Sequence, residues 1–331
     1  MSEPYRAGVA LVTGASGFIG GRLRDALLAD GYDVVALTRK GSPDPKKGRG
    51  APVDYADPES LERVLEKERP EYLFHVAGAT KGVKYQDFQR ANVMPTENLL
   101  AAIKRVHPNI KRFLHVSSLT CYGPSTATRP SEEDDDRKPV EHYGKSKLEA
   151  EQVVDAASKD VPVTIIRPPA VYGPGDVDAF ELFRWAARRL NLFYGNRDVM
   201  MSYVYVDDLV RGMREAAAHD ASLGKGYFLC DGEPRTWGLF QGEIVKASGT
   251  SAFDLNLPLR TIDVAAFFGE LATMLDGKPR LFNKQKALLG KQPAWTCRHD
   301  RARTDFGYKP QVSVREGVER TFEWYRAQRW I

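Results

Sequence analysis

The stretch Val9-Ala10-Leu11-Val12-Thr13-Gly14-Ala15-Ser16-Gly17-Phe18-Ile19-Gly20 constrains this chain more than any other. An apolar run too short for a helix meets three glycines, which open straight into a helical face of Phe18, Ile19, Leu23, Ala26 and Leu27. Gly14 can take a tight turn, Gly17 lets backbone approach a pyrophosphate, and Gly20 lets the helix press on a sheet. The first amides of that helix then face the phosphate charge. Gly31 stops the helix, and Asp33 to Thr38 reads as a second strand. Strand, glycine turn, helix and strand within about thirty residues is the setting a dinucleotide fingerprint requires. A turn that only eases packing is the competing reading.

The end of the second strand bears on which dinucleotide. An acid there binds the ribose 2′-hydroxyl of NAD, yet the residues are Thr38, Arg39 and Lys40. A guanidinium is shaped to grip a 2′-phosphate, so NADP(H) is preferred, with NAD(H) retained as the alternative. Solvation of both cations beside the polar loop Gly41 to Gly50 is the bland reading.

Alternation continues down the chain. Pro52-Val53-Asp54 is a short strand, Pro58 to Glu68 a helix capped by Asp57, and Tyr72 to Ala77 a buried strand ending in Gly78-Ala79-Thr80. A helix from Phe88 to Arg105 carries Asn92, and Phe113 to Val116 delivers Ser117-Ser118-Leu119-Thr120 to the same edge. His75 and His115 read as core histidines. Gly123 to Pro139 is a loop whose acidic run Glu132 to Asp136 reads as solvated, a substrate rim being the sharper alternative. A helix from His142 to about Ser158 and a strand from Val161 to Ile166, cut off by Pro168-Pro169, complete a doubly wound parallel α/β sheet.

Tyr143 and Lys147 are four apart and share a helix face. A neighbouring ammonium favours a phenolate, so Tyr143 becomes a candidate acid/base for a hydroxyl or carbonyl oxygen, with Ser118 able to hold that oxygen.

These motifs together resemble the extended short-chain dehydrogenase/reductases, the NAD-dependent epimerase/dehydratase family, over nearly the full length. They stand as Thr13 to Gly20, Ser117 to Gly123, Tyr143 to Lys147, Arg167-Pro168, Val171 to Pro174 and Val206-Asp207-Asp208. The resemblance implies Ser118, Tyr143 and Lys147 as catalytic residues, Lys147 also binding the nicotinamide ribose, and Asp54 near the adenine. Asn92, in Asn-Val-x-x-Thr-x-Asn-Leu, supports the sheet near the site. Gly14, Ser16, Gly17, Phe18, Ile19, Ala77, Ala79, Pro168 and Val171 complete the expected cofactor contacts, and Thr80, Thr120 and Tyr172 are the expected substrate contacts. Residues 1–169 form the Rossmann domain and 170–331 a smaller substrate-binding domain, from which 203–229 returns to the Rossmann core.

The last third resembles the 3β-hydroxysteroid and sterol-4-carboxylate dehydrogenases in Tyr227 to Pro234, Phe282-Asn283-Lys284, Arg301 to Pro310 and Thr321 to Trp324. Those enzymes often use NAD, whereas Arg39 favours NADP. The asparagine that sugar-nucleotide epimerases carry after the sixth-strand arginine is replaced by Pro168-Pro169. Ile262 to Leu275 is an apolar segment that can line a pocket, graze a membrane or fill a core. Phe180 to Leu192 mixes Phe183, Trp185 and Leu190 with Arg184, Arg188 and Arg189.

A net charge of +4 over 331 residues, with 48 cations against 44 acids, argues against nucleic acid. No apolar run approaches the roughly 18 residues of a membrane span and no signal peptide is apparent, so a cytoplasmic protein is expected. Cys121, Cys230 and Cys297 show neither metal spacing nor a disulfide framework. The leading expectation is hydride transfer between nicotinamide and a secondary alcohol or ketone on a bulky apolar substrate. A sugar-nucleotide epimerase or dehydratase and a non-catalytic NADP-binding sensor are the rivals. A homodimer through the helices holding Asn92 and Tyr143, and peripheral membrane contact, are further expectations.

Overall fold

The computed structural model describes residues 7–194, 196–258, 261, 264 and 288–331. The expected helix Ile262–Leu275 and the Phe282-Asn283-Lys284 motif lie outside the described residues, apart from Val264.

Seven strands form one parallel sheet: β1 (Ala7–Thr13), β2 (Tyr32–Arg39), β3 (Arg49–Val53), β4 (Tyr72–His75), β5 (Arg112–Val116), β6 (Val163–Arg167) and, after four smaller strands, β11 (Gly226–Phe228). Their order is β11-β6-β5-β4-β1-β2-β3. Strands are added outward in one direction from β1 to β3 and in the other from β4 onward, so β1 and β4 flank the switch point where open α/β sheets bind ligands. Both faces are covered, so β1 is apolar throughout: Ala10 and Val12 pack on one side and Leu11 on the other. The first side is closed by α1 (Phe18–Ala29) and α7 (Val206–Ala218), through Leu23, Leu27, Leu209 and Met213. The second is closed by α2 (Pro58–Glu68), α4 (Met94–Val106) and α5 (His142–Ala157), through Leu61, Leu99, Ile103 and Val154.

The expected helix from Phe88 to Arg105 is three pieces. A short helix α3 (Tyr85–Phe88) runs into a π-helical turn, Gln89–Val93, and only then into α4. The π turn spends one extra residue to aim Asn92 inward, a device that recurs at functional sites.

The remaining elements are smaller. β7 (Ala170–Tyr172) pairs with β10 (Tyr203–Tyr205), so residues 203–205 join a two-stranded sheet and 226–228 alone reaches the large one. β8 (Leu190–Tyr194) pairs with β13 (Phe253–Leu257), and β9 (Met200–Met201) lies between β12 (Arg235–Thr236) and β14 (Ala294–Trp295). With α6 (Phe180–Ala187), α8 (Trp237–Ser248) and the helix Val314–Ala327, these elements enclose Tyr172, Phe183, Tyr203, Tyr205, Phe240, Phe322 and Tyr325. Among the described residues, no helix is long and apolar enough to cross a membrane.

The acidic loop is docked. Arg301 pairs with Asp134 at 2.6 Å and Arg129 with Asp135 at 2.5 Å, while Glu133 accepts the Phe228 N–H of β11 at 3.0 Å.

Candidate active site

The turn after β1 has the geometry its glycines require. Gly14 sits at φ 68°, and a Cβ on Gly20 would lie 2.2 Å from the Gly14 carbonyl oxygen, so neither position admits a side chain. Ser16 and Gly17 are exposed at the start of α1, leaving its first amides open to an anion. Phe18, Ile19 and Val171 are half-buried and pack against the core beside this turn. Arg39 and Lys40 are exposed at the end of β2, and neither makes an ion pair among the described residues. Asp54 follows β3, its carboxylate accepting the Ala56 N–H at 2.9 Å and its own N–H donating to Ser60 Oγ.

A directional hydrogen-bond chain fixes the end of β4. The Ala77 N–H donates to Thr13 Oγ1 at 2.9 Å, and Thr96 Oγ1 donates to the Asn92 carbonyl at 2.7 Å. His75 lies between the two threonines, 2.9 Å from Thr13 and 3.0 Å from Thr96. Thr96 has already given its proton away, so His75 donates from Nε2 and accepts the Thr13 hydroxyl at Nδ1. Burial pushes this imidazole down to about 3, so it stays neutral. It is a satisfied core histidine, as expected. His115, one strand over with its ring centroid 5.4 Å away, is also neutral, but its ring nitrogens have no hydrogen-bond partner among the described residues.

Asn92 then acts as a surrogate strand for the loop beyond β4. Its Oδ1 accepts the Ala79 N–H at 2.7 Å, and its Nδ2 donates to the Ala79 carbonyl at 3.1 Å and to Ser146 Oγ at 2.8 Å. Residues 77–79 are thereby fixed to α5. A Cβ on Gly78 would lie 2.9 Å from Asn92 Oδ1 and 3.2 Å from Lys147 Nζ, which explains the glycine.

Ser118 ends β5 and caps the 3-10 turn Leu119–Tyr122, its Oγ accepting from the Thr120 N–H at 3.2 Å and the Thr120 hydroxyl at 3.0 Å. Opposite, Glu141 caps α5 by accepting the Tyr143 and Gly144 N–H groups at 2.5 Å. Tyr143 is thus brought close to Ser118.

Lys147 lies one turn further along α5. Its ammonium donates to the Val116 carbonyl at 2.8 Å, and burial brings it down to about 8. Burial also pushes Tyr143 up, and Ser118 is the group that offsets part of that rise. The buried phenol is therefore protonated in this arrangement and able to give a proton away.

Sequence reasoning missed what lies beneath. Glu151, one turn beyond Lys147 on α5, is fully buried and receives both arms of Arg167 at 2.9 Å, with Arg137 at 2.6 Å. Burial alone would raise this carboxyl, but the two guanidiniums hold it below its ordinary range. The spacing Tyr143, Lys147, Glu151 along one helix face was the available signal.

Of the remaining expected residues, Pro168 is buried, its carbonyl accepting the Leu119 N–H at 3.0 Å. Thr80 is exposed, and Lys81 beside it pairs with Asp178 at 2.6 Å. Tyr172 is placed away from the group. It is 3% exposed, packed against Tyr203, Tyr205 and Phe240, because β7 carries it into the aromatic core.

Comparison with known proteins agrees with this geometry. A 2-alkyl-3-oxoalkanoate reductase from Stenotrophomonas maltophilia is 30% identical, covering 94% of this chain and 97% of its own. A ceramide reductase from Caulobacter vibrioides is 28% identical, with coverage of 98% and 96%. The crystal structure of UDP-glucose 4-epimerase from Thermotoga maritima with UDP-glucose superposes with a TM-score of 0.79 at 23% identity, covering 97% and 99%. Residues 10–229 match the NAD dependent epimerase/dehydratase family, and the chain belongs to that family as an enzyme of the extended short-chain dehydrogenase/reductase type.

Proposed function

We propose that this enzyme is an NADPH-preferring reductase of a ketone carried on a bulky apolar substrate, able also to run the alcohol oxidation. The observation that carries the reading is the convergence of Ser118, Tyr143 and Lys147 on the sheet edge that holds the glycine turn. A nicotinamide bound there would supply the hydride. Tyr143 gives its proton to the carbonyl oxygen, Ser118 holds that oxygen, and the Lys147 ammonium favours the phenolate left behind once its distance to the ring shortens. The Gly14 to Gly17 turn would hold the pyrophosphate, Arg39 and Lys40 the 2′-phosphate, Asp54 the adenine side and Lys147 the nicotinamide ribose.

Two features favour an apolar ketone over a sugar nucleotide. Pro168-Pro169 stands where a diphosphate-facing asparagine would be. The cations of the smaller elements are largely engaged: Arg197 with Asp254 at 2.8 Å, Arg235 with Asp231 at 2.5 Å and Glu233 at 2.6 Å, Arg301 with Asp134 at 2.6 Å. The two reductases named above act, by their names, on carbonyls of alkyl-chain lipids, the same chemical class.

The test follows NADPH and NADH absorbance with purified protein against long-chain 3-oxo compounds, polycyclic ketones and UDP- or dTDP-sugars. NADPH consumption with an apolar ketone supports the reading. Turnover of a sugar nucleotide with no net NADPH change overturns it, and retention of cellular function by Tyr143→Phe would replace it with a sensor.

A further inference from the structure

Three buried cysteines lie in one small apolar cluster behind the Leu119–Tyr122 turn, with Tyr122, Phe228 and Trp295. Their surroundings differ. Cys121 has only the Ser117 hydroxyl at 3.2 Å, and burial drives its thiol up. Cys230 follows β11 and Cys297 follows β14, 67 residues apart in the chain, yet the Cys230 thiol donates to the Cys297 carbonyl at 3.4 Å. His299 Nδ1 lies 3.5 Å from the Cys230 sulfur. The hydrogen bonds to Cys297 and His299 hold the Cys230 thiol below its ordinary range, against the effect of burial. His299 is half-exposed and rests against Gly232, at φ 82°, where a Cβ would lie 2.6 Å from the imidazole. That glycine keeps the histidine seated between the thiol and solvent.

We propose that Cys230 and Cys297 form a hydroperoxide-responsive dithiol site, with His299 as its base. His299 takes the Cys230 proton, and the thiolate attacks a peroxide oxygen. The O–O bond breaks, leaving a sulfenic acid on Cys230 and an alkoxide or hydroxide that leaves as alcohol or water. Cys297 attacks the sulfenic sulfur, the S–O bond breaks, and water departs. Two thiols are oxidised to one disulfide and one hydroperoxide is reduced. The site uses none of Ser118, Tyr143 and Lys147, so it does not depend on the substrate reading.

The test treats the full chain with hydrogen peroxide, alkylates remaining thiols and maps tryptic peptides without reduction. The expected product joins peptide 226–235 to peptide 292–298, reversed by dithiothreitol, with Cys121 still alkylated. His299→Gln, checked for native circular dichroism, should slow the cross-link by about tenfold near pH 7. Three results would overturn the proposal: both cysteines still alkylated after peroxide, Cys121 oxidised as fast as Cys230, or a sulfinic acid on Cys230 beside a free Cys297. An unchanged rate in His299→Gln would overturn the role given to the histidine.

Discussion

The large sheet and the aromatic core of the smaller elements bury polar groups in opposite ways. Inside the sheet, Ala77, Thr13, His75, Thr96 and Asn92 form a chain in which every proton is assigned, and Glu151 is matched by two guanidiniums. His115 is the exception among the strands. Among the smaller elements, Tyr203 stacks on Phe240 at 4.2 Å with its hydroxyl buried and unpartnered. Gln241 Oε1 is unpartnered there too among the described residues. Hydrogen-bond directionality fixes atoms to fractions of an ångström, whereas aromatic packing fixes volume. The sheet is therefore held to one geometry, and the aromatic core to one volume.

Substitutions can break this contrast, and the largest effect belongs to the chemistry. Tyr143→Phe removes the phenol proposed to give its proton to the substrate oxygen and should lower turnover by about 10³-fold, within the usual range for acid/base groups. Nucleotide binding by fluorescence should survive. Lys147→Met should also abolish most activity, yet stabilise the fold. The lysine is at about 8 when folded, against an ordinary 10.5. Its folded form therefore binds fewer protons than the unfolded chain between those values. Its burial penalty is complete below pH 8 and fades as pH rises toward 10.5. Denaturant titrations should thus show the variant's advantage at pH 7 shrinking by pH 10; a gap that widens would refute the account.

Arg39→Ala comes next. Loss of a guanidinium–phosphate contact of about 2 kcal/mol weakens NADPH binding roughly thirtyfold. NADH binding should be unchanged, and equal losses for both would remove the case for NADP. The smallest effects test the contrast itself. Thr96→Val strands the His75 N–H and should cost about 1–3 kcal/mol in chemical denaturation. Tyr203→Phe removes a buried hydroxyl with no partner among the described residues and should be neutral or stabilising by up to about 1 kcal/mol. Similar losses from both would show that the two regions are not built differently.

Much of the sheet is legible in the chain because its signals are local. The glycines, the unbroken apolar run Val9 to Val12 and the Asp57 cap, which accepts the Glu59 N–H at 3.1 Å, need no distant partner. Tyr143 and Lys147 are legible for the same reason. What escapes reading depends on contacts across the fold. Lys147 chooses the Val116 carbonyl, an acceptor that every residue carries. The π turn at Gln89–Val93 satisfies Asn92's need to reach Ala79, and helical periodicity alone cannot show one added residue. Tyr172 sits in a strand of three residues, too short for alternation to say which side faces in.

Glu133 and Phe228 set the order in which this molecule can be made. The outer strand of the nucleotide-binding sheet is the late-synthesised β11, and its Phe228 N–H is closed off by a carboxylate from the loop ahead of α5. Until residue 228 has left the ribosome, β6 is an open edge ready to pair with another chain. The loop that frames Ser118 also has nowhere to dock. A fragment ending at residue 169 would then be a sticky folding intermediate, dependent on chaperones where the whole chain is not.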